Sequence, residues 1–246
     1  MLKIIFHTKQ LIKHILAISY FTFRRNSRVS LPLHLYLHET PNLRSFKQNV
    51  DRLVRALEMS GYDKEEIREG LTFSFDDGIK SNFEAMEYLC KRDIRSIAFI
   101  CLGSLREPNR VRKNLKRKAG KSIIEFLSMH EIVKLYNMGV VIAYHTMYHD
   151  SVLEWEIQDW ERDYDLFINV MSSINVVPTK VWAWPFGNAK HINQTLLNEV
   201  NKRGFTSYSA LRREKHNSMA DLSRLSTSRE HVHDHWPWYL WFYFIK

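Results

Sequence analysis

Two short stretches of this sequence carry residues that could do chemistry together. The first is Leu71–Lys80, LTFSFDDGIK, where two adjacent carboxylates, Asp76 and Asp77, follow an apolar run and precede Gly78. The second is AYHTMYHD, where His145 and His149 stand four residues apart. Two acids side by side at the end of a buried run are costly unless something pairs with them. The two imidazoles offer that partner. One carboxylate with two histidines suits zinc, and it leaves coordination positions open for water and substrate.

Such residues act only if regular elements bring them together. Leu71, Phe73 and Phe75 alternate with Thr72 and Ser74, which is strand periodicity, and Gly78 permits a sharp exit. Gly139 to Ala143 reads as the strand that delivers His145. The helix before it opens on a capping box, Ser128 with Glu131, buries Ile132 and Leu135, and ends at Gly139. Val29 to Leu37 reads as the first strand, with His38 at its end as a packed or supporting histidine. Phe46 to Met59 reads as a helix with Val50, Leu53, Val54 and Leu57 on one side. A helix near Asn82 to Lys91 and a strand over Ile94 to Leu102 follow. Ile157, Trp160, Tyr164, Phe167 and Met171 recur at helical spacing, as core packing. Val181 to Trp184 and Phe205 to Ser209 read as strands flanking a helix near Ile192 to Arg203. The alternation is that of an α/β protein with a parallel sheet. If the strands are neighbours, both motifs reach the carboxyl end of the sheet, where barrel folds gather their sites.

The 246 residues suffice for one large domain. Hydrophobic content of 45% and charged content of 26% are ordinary for a globular protein. Cys90 and Cys101 form no CxxC and read as reduced, buried thiols, which favours a reducing compartment. The formal net charge of +9 points to acidic glycans, anionic lipid surfaces or nucleic acid as partners. No nucleic-acid reading module accompanies that charge, so nucleic acid is the weakest of the three. Residues 1–28 form a basic segment in which Leu11, Ile15 and Ile18 share a helical face. It is too short in apolar run to span a bilayer, and it lacks a signal-peptide core and cleavage site. It reads either as a helix packed on the domain or as an amphipathic helix on an anionic membrane face. Residues 231–246 end in the aromatic tail WPWYLWFYFIK, which either packs on the domain or sits at a membrane interface. The expected location is cytoplasmic, with peripheral contact on the inner face of the membrane as the alternative to a free protein.

The ordered pair of motifs resembles the polysaccharide deacetylases, carbohydrate esterase family 4. Ser74-Phe75-Asp76-Asp77-Gly78 is similar to that family's TFDDG, and His145-Thr146-Met147-Tyr148-His149 to its H-[ST]-x-x-H. The resemblance spans about Ser30 to Ser228, within a domain placed at residues 29–230. It implies a distorted (β/α) barrel and a metal-dependent hydrolase that removes an acetyl group from an N-acetylated sugar of a saccharide or lipid-linked glycan. Asp77, His145 and His149 would hold Zn2+ or another divalent metal. The resemblance implies that Asp76 is the general base for the attacking water, and that the backbone N–H of Phe186 helps hold the oxyanion.

The sequence departs from the family in two places. The third motif is often R-x-P-[YFW], with the Arg holding the base. Here it reads Trp182-Ala183-Trp184-Pro185-Phe186-Gly187, similar to a branch that writes F-A-Y-P-[YF]-G, so Ala183 stands where the Arg would be. The last motif, Leu-x-His, which provides the general acid, has no clean match near Leu225. His231, His233 and His235 are the candidates, with His233 taken as the acid, while Arg224 or Arg229 could meet substrate or the site's carboxylates. Trp182 and Trp184 could stack on a sugar or pack inside. Arg106 to Lys121 reads as a solvated basic insertion or a landing site for acidic groups. The missing Arg and missing Leu-x-His also permit a second reading, a weakened relative that binds glycan and metal.

Overall fold

A computed structural model describes residues 31–115, 124–210 and 227–231 of the chain. The basic N-terminal segment, most of the aromatic tail, Arg224, His233 and His235 lie outside the described residues, so the expectations made for them carry no structural account. The elements run β1 (Leu33–Leu37), α1 (Leu43–Met59), α2 (Lys64–Gly70), β2 (Leu71–Phe75), α3 (Phe83–Cys90), β3 (Arg95–Ile100), α4 (Pro108–Asn114), α5 (Met129–Asn137), β4 (Val141–Tyr144), α6 (Ile157–Ser173), β5 (Val181–Ala183), α7 (Gln194–Lys202), β6 (Thr206–Ser209), β7 (Thr227–Ser228) and β8 (Glu230–His231). Helix α2 opens on an Asp63–Glu66 capping box. The expected Ser128–Glu131 box opens α5.

The six main strands lie side by side, β6-β5-β4-β3-β2-β1, and every pairing is parallel. The two edges are joined by one short segment. Thr227–Ser228 pairs with β6, and Glu230–His231 pairs with β1. Residues 227–231 therefore close the sheet into the distorted (β/α) barrel, with Arg229 between the two pairing halves.

Alternation along each strand sorts the side chains. Leu71, Phe73 and Phe75 of β2, with Leu33, Leu35 and Leu37 of β1, join the large core between the sheet and its helices. Helix α1 contributes Phe46, Val50, Leu53 and Leu57 to that core, and α6 contributes Trp160, Phe167 and Met171. The opposite parity faces the barrel interior, where Ile97, Phe99, Ala143, Ala183 and Tyr208 form a small cluster. Ser74 lies in register with Tyr36 and Ile97 and so shares that inner face. Asp76 continues the inward parity of Thr72 and Ser74 just past the end of β2. His145 does the same past Ala143 on β4.

Candidate active site

The carboxyl ends of β1, β2, β4 and β5 surround a cavity of about 110 Å³. Tyr36, His38, Asp76, Asp77, His145, His149, Trp184, Phe186 and Arg229 all line it. Among the described residues, six that are not glycine have positive φ. Asp77, Thr146, His149 and Phe186 are four of them, and all belong to the motifs at this mouth. Backbone strain of this kind persists only where surrounding structure holds it, and it collects at functional sites. For Asp77 the consequence is direct. A left-handed residue at the strand exit swings its carboxylate back toward the same cavity as Asp76.

The expected convergence is present. His145 Nε2 lies 3.4 Å, and His149 Nε2 3.5 Å, from the same oxygen, Asp77 Oδ1. Asp77, His145 and His149 are all buried. His145 Nδ1 donates to the carbonyl of Ala183 at 2.8 Å. A carbonyl can only accept, so Nδ1 carries hydrogen and Nε2 is the atom left to face Asp77. Ala183 thus contributes its backbone to the site although its side chain is short. Burial alone would raise the Asp77 pKa, but the hydrogen bond from His145 and the charges of His38 and His149 outweigh it, and the group is held well below the usual carboxylate range. Burial pulls the His145 pKa down, while its bond to Asp77 and the charges of Asp76 and Asp77 pull it up; the net direction is up. Burial dominates at His149 and lowers it to about 4.

These donors fit a divalent metal. One anionic oxygen and two imidazole nitrogens meet in a buried space where positive charge is favoured, and hard oxygen with imidazole is the mixture that zinc takes. Cys101 is also near, since donor atoms of Asp77, Cys101 and His145 fall within 4.8 Å of one another. Its thiol donates to the His145 carbonyl at 3.3 Å, and burial beside Asp77 and Asp76 pushes its pKa well up. Cys101 is therefore a protonated neighbour of the donor set. Cys90 and Cys101 are both free, Cys101 buried and Cys90 half-buried.

Asp76 points elsewhere. Arg229 holds it with two bonds, Nη1 to Oδ1 at 2.6 Å and Nη2 to Oδ2 at 3.0 Å. Arg229 is 2% exposed and fully engaged: Nη1 also donates to Ser74 Oγ at 3.0 Å and Nε to the Ser209 carbonyl at 3.2 Å. Its guanidinium lies 4.5 Å from the centre of the Tyr36 ring and 5.1 Å from that of Phe99. Burial would raise the Asp76 pKa, but the charge of Arg229 and then of His145 outweigh it, and the net shift is downward. Asp76 is an ionised acid that both arginine nitrogens keep in one orientation.

The turn between the two histidines is fixed on several sides. Met147 N–H donates to Asp163 Oδ1 at 2.8 Å, and Gly103 N–H donates to the Met147 carbonyl at 2.7 Å. Asn114 of α4 donates to the Tyr148 carbonyl at 2.8 Å. Helix α4 sits in the basic stretch read as an insertion, so that stretch is partly a structural brace of the His149 turn. Trp182 is fully buried against Tyr144, Trp160 and Trp184, which is packing and leaves no face for a sugar. Trp184 is also buried, though it borders the cavity. The ring of Phe186 stands edge-to-face with His149 at 4.7 Å. His38 lines the cavity, and its carbonyl accepts from Asn82 Nδ2 at 2.8 Å.

A parallel barrel with an ionised acid, an acid–imidazole cluster and a cavity at its carboxyl mouth has the layout of a hydrolase. The chain belongs to the polysaccharide deacetylase family, whose model matches residues 63–208. No curated protein matches it. Among solved structures it is similar to IcaB from Ammonifex degensii, at 19% identity and a TM-score of 0.60, covering 87% of this chain and 97% of that one. It is also similar to the deacetylase PplD of Streptococcus pyogenes in complex with acetate, at 14% identity and a TM-score of 0.58, covering 88% and 99%. The deacetylase domain of BpsB from Bordetella bronchiseptica matches at 12% identity and a TM-score of 0.54, covering 85% and 98%. At these identities the likeness is one of fold.

Proposed function

We propose that this protein is a metal-dependent hydrolase that removes the acetyl group from an N-acetylated sugar in a saccharide or lipid-linked glycan. One observation carries the reading: both imidazole Nε2 atoms meet one oxygen of Asp77, beside a second acid held separately by Arg229. Asp77, His145 and His149 hold a divalent metal, Zn2+ being the ion their chemistry suits best. When bound, the metal acts as a Lewis acid toward the carbonyl and lowers the pKa of water. Asp76 takes the proton of the attacking water at its carboxylate. Arg229 keeps that carboxylate ionised and aimed. The amide N–H of Phe186 donates to the oxyanion that forms on the acetyl oxygen. The C–N bond then breaks, the sugar nitrogen gains a proton, and acetate and the free amine leave.

An imidazole is the group to deliver that proton. Among the described residues, His38 is the cavity-lining histidine outside the Asp77 cluster, and it is our choice. His233, the candidate that the sequence offers, is the rival. The second reading, a weakened relative that binds glycan and metal, rests on the absent motif-three arginine and on the absent Leu-x-His. Arg229 supplies a guanidinium to Asp76, which removes the first of these grounds. Purified protein loaded with zinc or cobalt is expected to release acetate from N-acetylhexosamine oligosaccharides. Metal uptake with no turnover across a broad glycan panel would favour the binding reading.

No helix among the described residues is long and apolar enough to cross a membrane. Peripheral contact through the two termini rests on their sequence alone. It predicts pelleting with anionic liposomes at moderate salt, and full recovery in the supernatant would count against it.

A further inference from the structure

The two proposed histidine ligands are carried on a strained turn, across which the Asp150 N–H donates to Thr146 Oγ1 at 3.1 Å. Thr146 has φ 56° and His149 has φ 58°, a conformation that costs energy at both positions. Contacts from outside the turn add to that bond. Helix α6 supplies a half-buried carboxylate there, Asp163, which no motif of the sequence singles out. Asp163 Oδ1 accepts two bonds, one from the Met147 backbone N–H at 2.8 Å and one from the Tyr144 hydroxyl. Tyr144 is the last residue of β4, immediately before His145, and it is fully buried. One oxygen therefore ties the residue before the first histidine to the centre of the turn that ends in the second. The ring of Tyr144 is itself locked against Trp160, Tyr164 and Phe167 of α6 at 5.2 to 5.7 Å.

We infer that Asp163 is a positioning residue for the metal site: through Tyr144 and Met147 it sets the spacing and aim of His145 and His149. This rests on the metal reading given above. Partners that orient metal ligands typically change metal affinity by about 10–100-fold when removed. A carboxylate that merely stabilised α6 would lower thermal stability and leave that affinity alone. The amide of asparagine still offers Oδ1 to both donors, so Asp163→Asn should preserve most of the effect that Asp163→Ala loses.

The test is a cobalt titration followed by visible absorption, with thermal melting recorded for each variant. Met171→Ala, a core truncation on the same helix, is the control for lost stability. The expected result is weaker cobalt binding for Asp163→Ala, by about 10–100-fold, recovery in Asp163→Asn, and unchanged affinity in a destabilised Met171→Ala. Wild-type affinity in a folded Asp163→Ala would overturn the inference, as would an equal loss in Met171→Ala. If Asp163→Ala does not fold, Tyr144→Phe decides: weakened binding supports the inference and unchanged binding overturns it. A wild-type protein that binds no cobalt would instead overturn the metal reading, so the two failures are distinct.

Discussion

Arg229 reaches Asp76 across 153 residues of sequence and holds both of its oxygens, at 2.6 and 3.0 Å. The same arginine sits at the junction of the two short strands that close the barrel, between Ser228 on the β6 side and Glu230 on the β1 side. Barrel closure and orientation of the acid are thus one event. A guanidinium delivered from the closing strand does for Asp76 what an arginine in the third motif would do, and Ala183 is left to offer only its carbonyl, to His145.

Replacing Arg229 should therefore harm both stability and rate. Asp76 and Arg229 are both buried, and removing one partner of such a pair costs about 3–5 kcal/mol. The pH profile gives the sharper prediction. As the proposed base, Asp76 must be ionised to accept a proton; its folded pKa is depressed, so activity should be present above that pKa and lost as pH falls through it. Without Arg229 the pKa rises, so the acid limb of kcat/KM in Arg229→Gln should move to higher pH. Arg229→Lys keeps the charge but loses the two-pronged grip and should fall between. An acid limb that stays put in Arg229→Gln would separate Arg229 from the base.

In metal-free protein the two clustered imidazoles should titrate far apart. His149 is lowered to about 4 by burial, whereas His145 is raised by Asp77 and Asp76 in spite of its burial. The signs for stability are opposite. His149 contributes stability that is present above its unfolded value, 6.5, and is lost as pH falls toward about 4. His145 contributes stability that is present below 6.5 and is lost as pH rises through its folded value. Imidazole resonances followed by NMR from pH 3 to 9 (about six units) check this. Two curves superimposed near the ordinary histidine value would contradict it.

Gly103 should not tolerate a side chain. A Cβ there would lie 2.3 Å from Tyr148 Cδ1 and 2.5 Å from the Met147 carbonyl oxygen, inside the turn that carries His149. Gly103→Ala must push that turn aside, at a cost of about 1–3 kcal/mol, and metal affinity should fall along with the melting temperature. A variant with native affinity and stability would show that the turn has room to move.

The leaving amine's proton separates His38 from His233. His38→Ala should lower kcat by roughly 10²–10⁴-fold with metal content unchanged. His233→Ala should behave as wild type. The reverse pattern would return the role to the C-terminal histidines.

Much of this arrangement could be read before any coordinates. The alternation of Leu71, Phe73 and Phe75 with Thr72 and Ser74 marks a strand, and β2 spans Leu71–Phe75, buried on both faces. The recurring Trp160, Phe167 and Met171 are the buried face of α6. The strand before His145 was placed at 139–143 and runs Val141–Tyr144, because Gly139 and Val140 complete the end of α5 through bonds to Tyr136 and Leu135. What local pattern could not give was partnership across the chain. Sequence left Arg224 and Arg229 as equal candidates, since a single residue in a two-residue pairing has no periodicity to read. Asp163 was one acid among several on a helix, and only packing shows that it faces Tyr144 and Met147. Helix α4 was hidden because its composition is basic and its purpose, bracing Tyr148, is tertiary.

The most direct test of the whole account measures bound metal and released acetate on the same samples. Wild type should hold about one divalent ion per chain and release acetate from an N-acetylhexosamine oligosaccharide. Asp76→Asn should keep the ion and lose turnover by roughly 10²–10⁴-fold, and Asp77→Ala should lose both. Metal retained in Asp77→Ala, or acetate released at the wild-type rate by Asp76→Asn, would contradict the division of labour between the two acids.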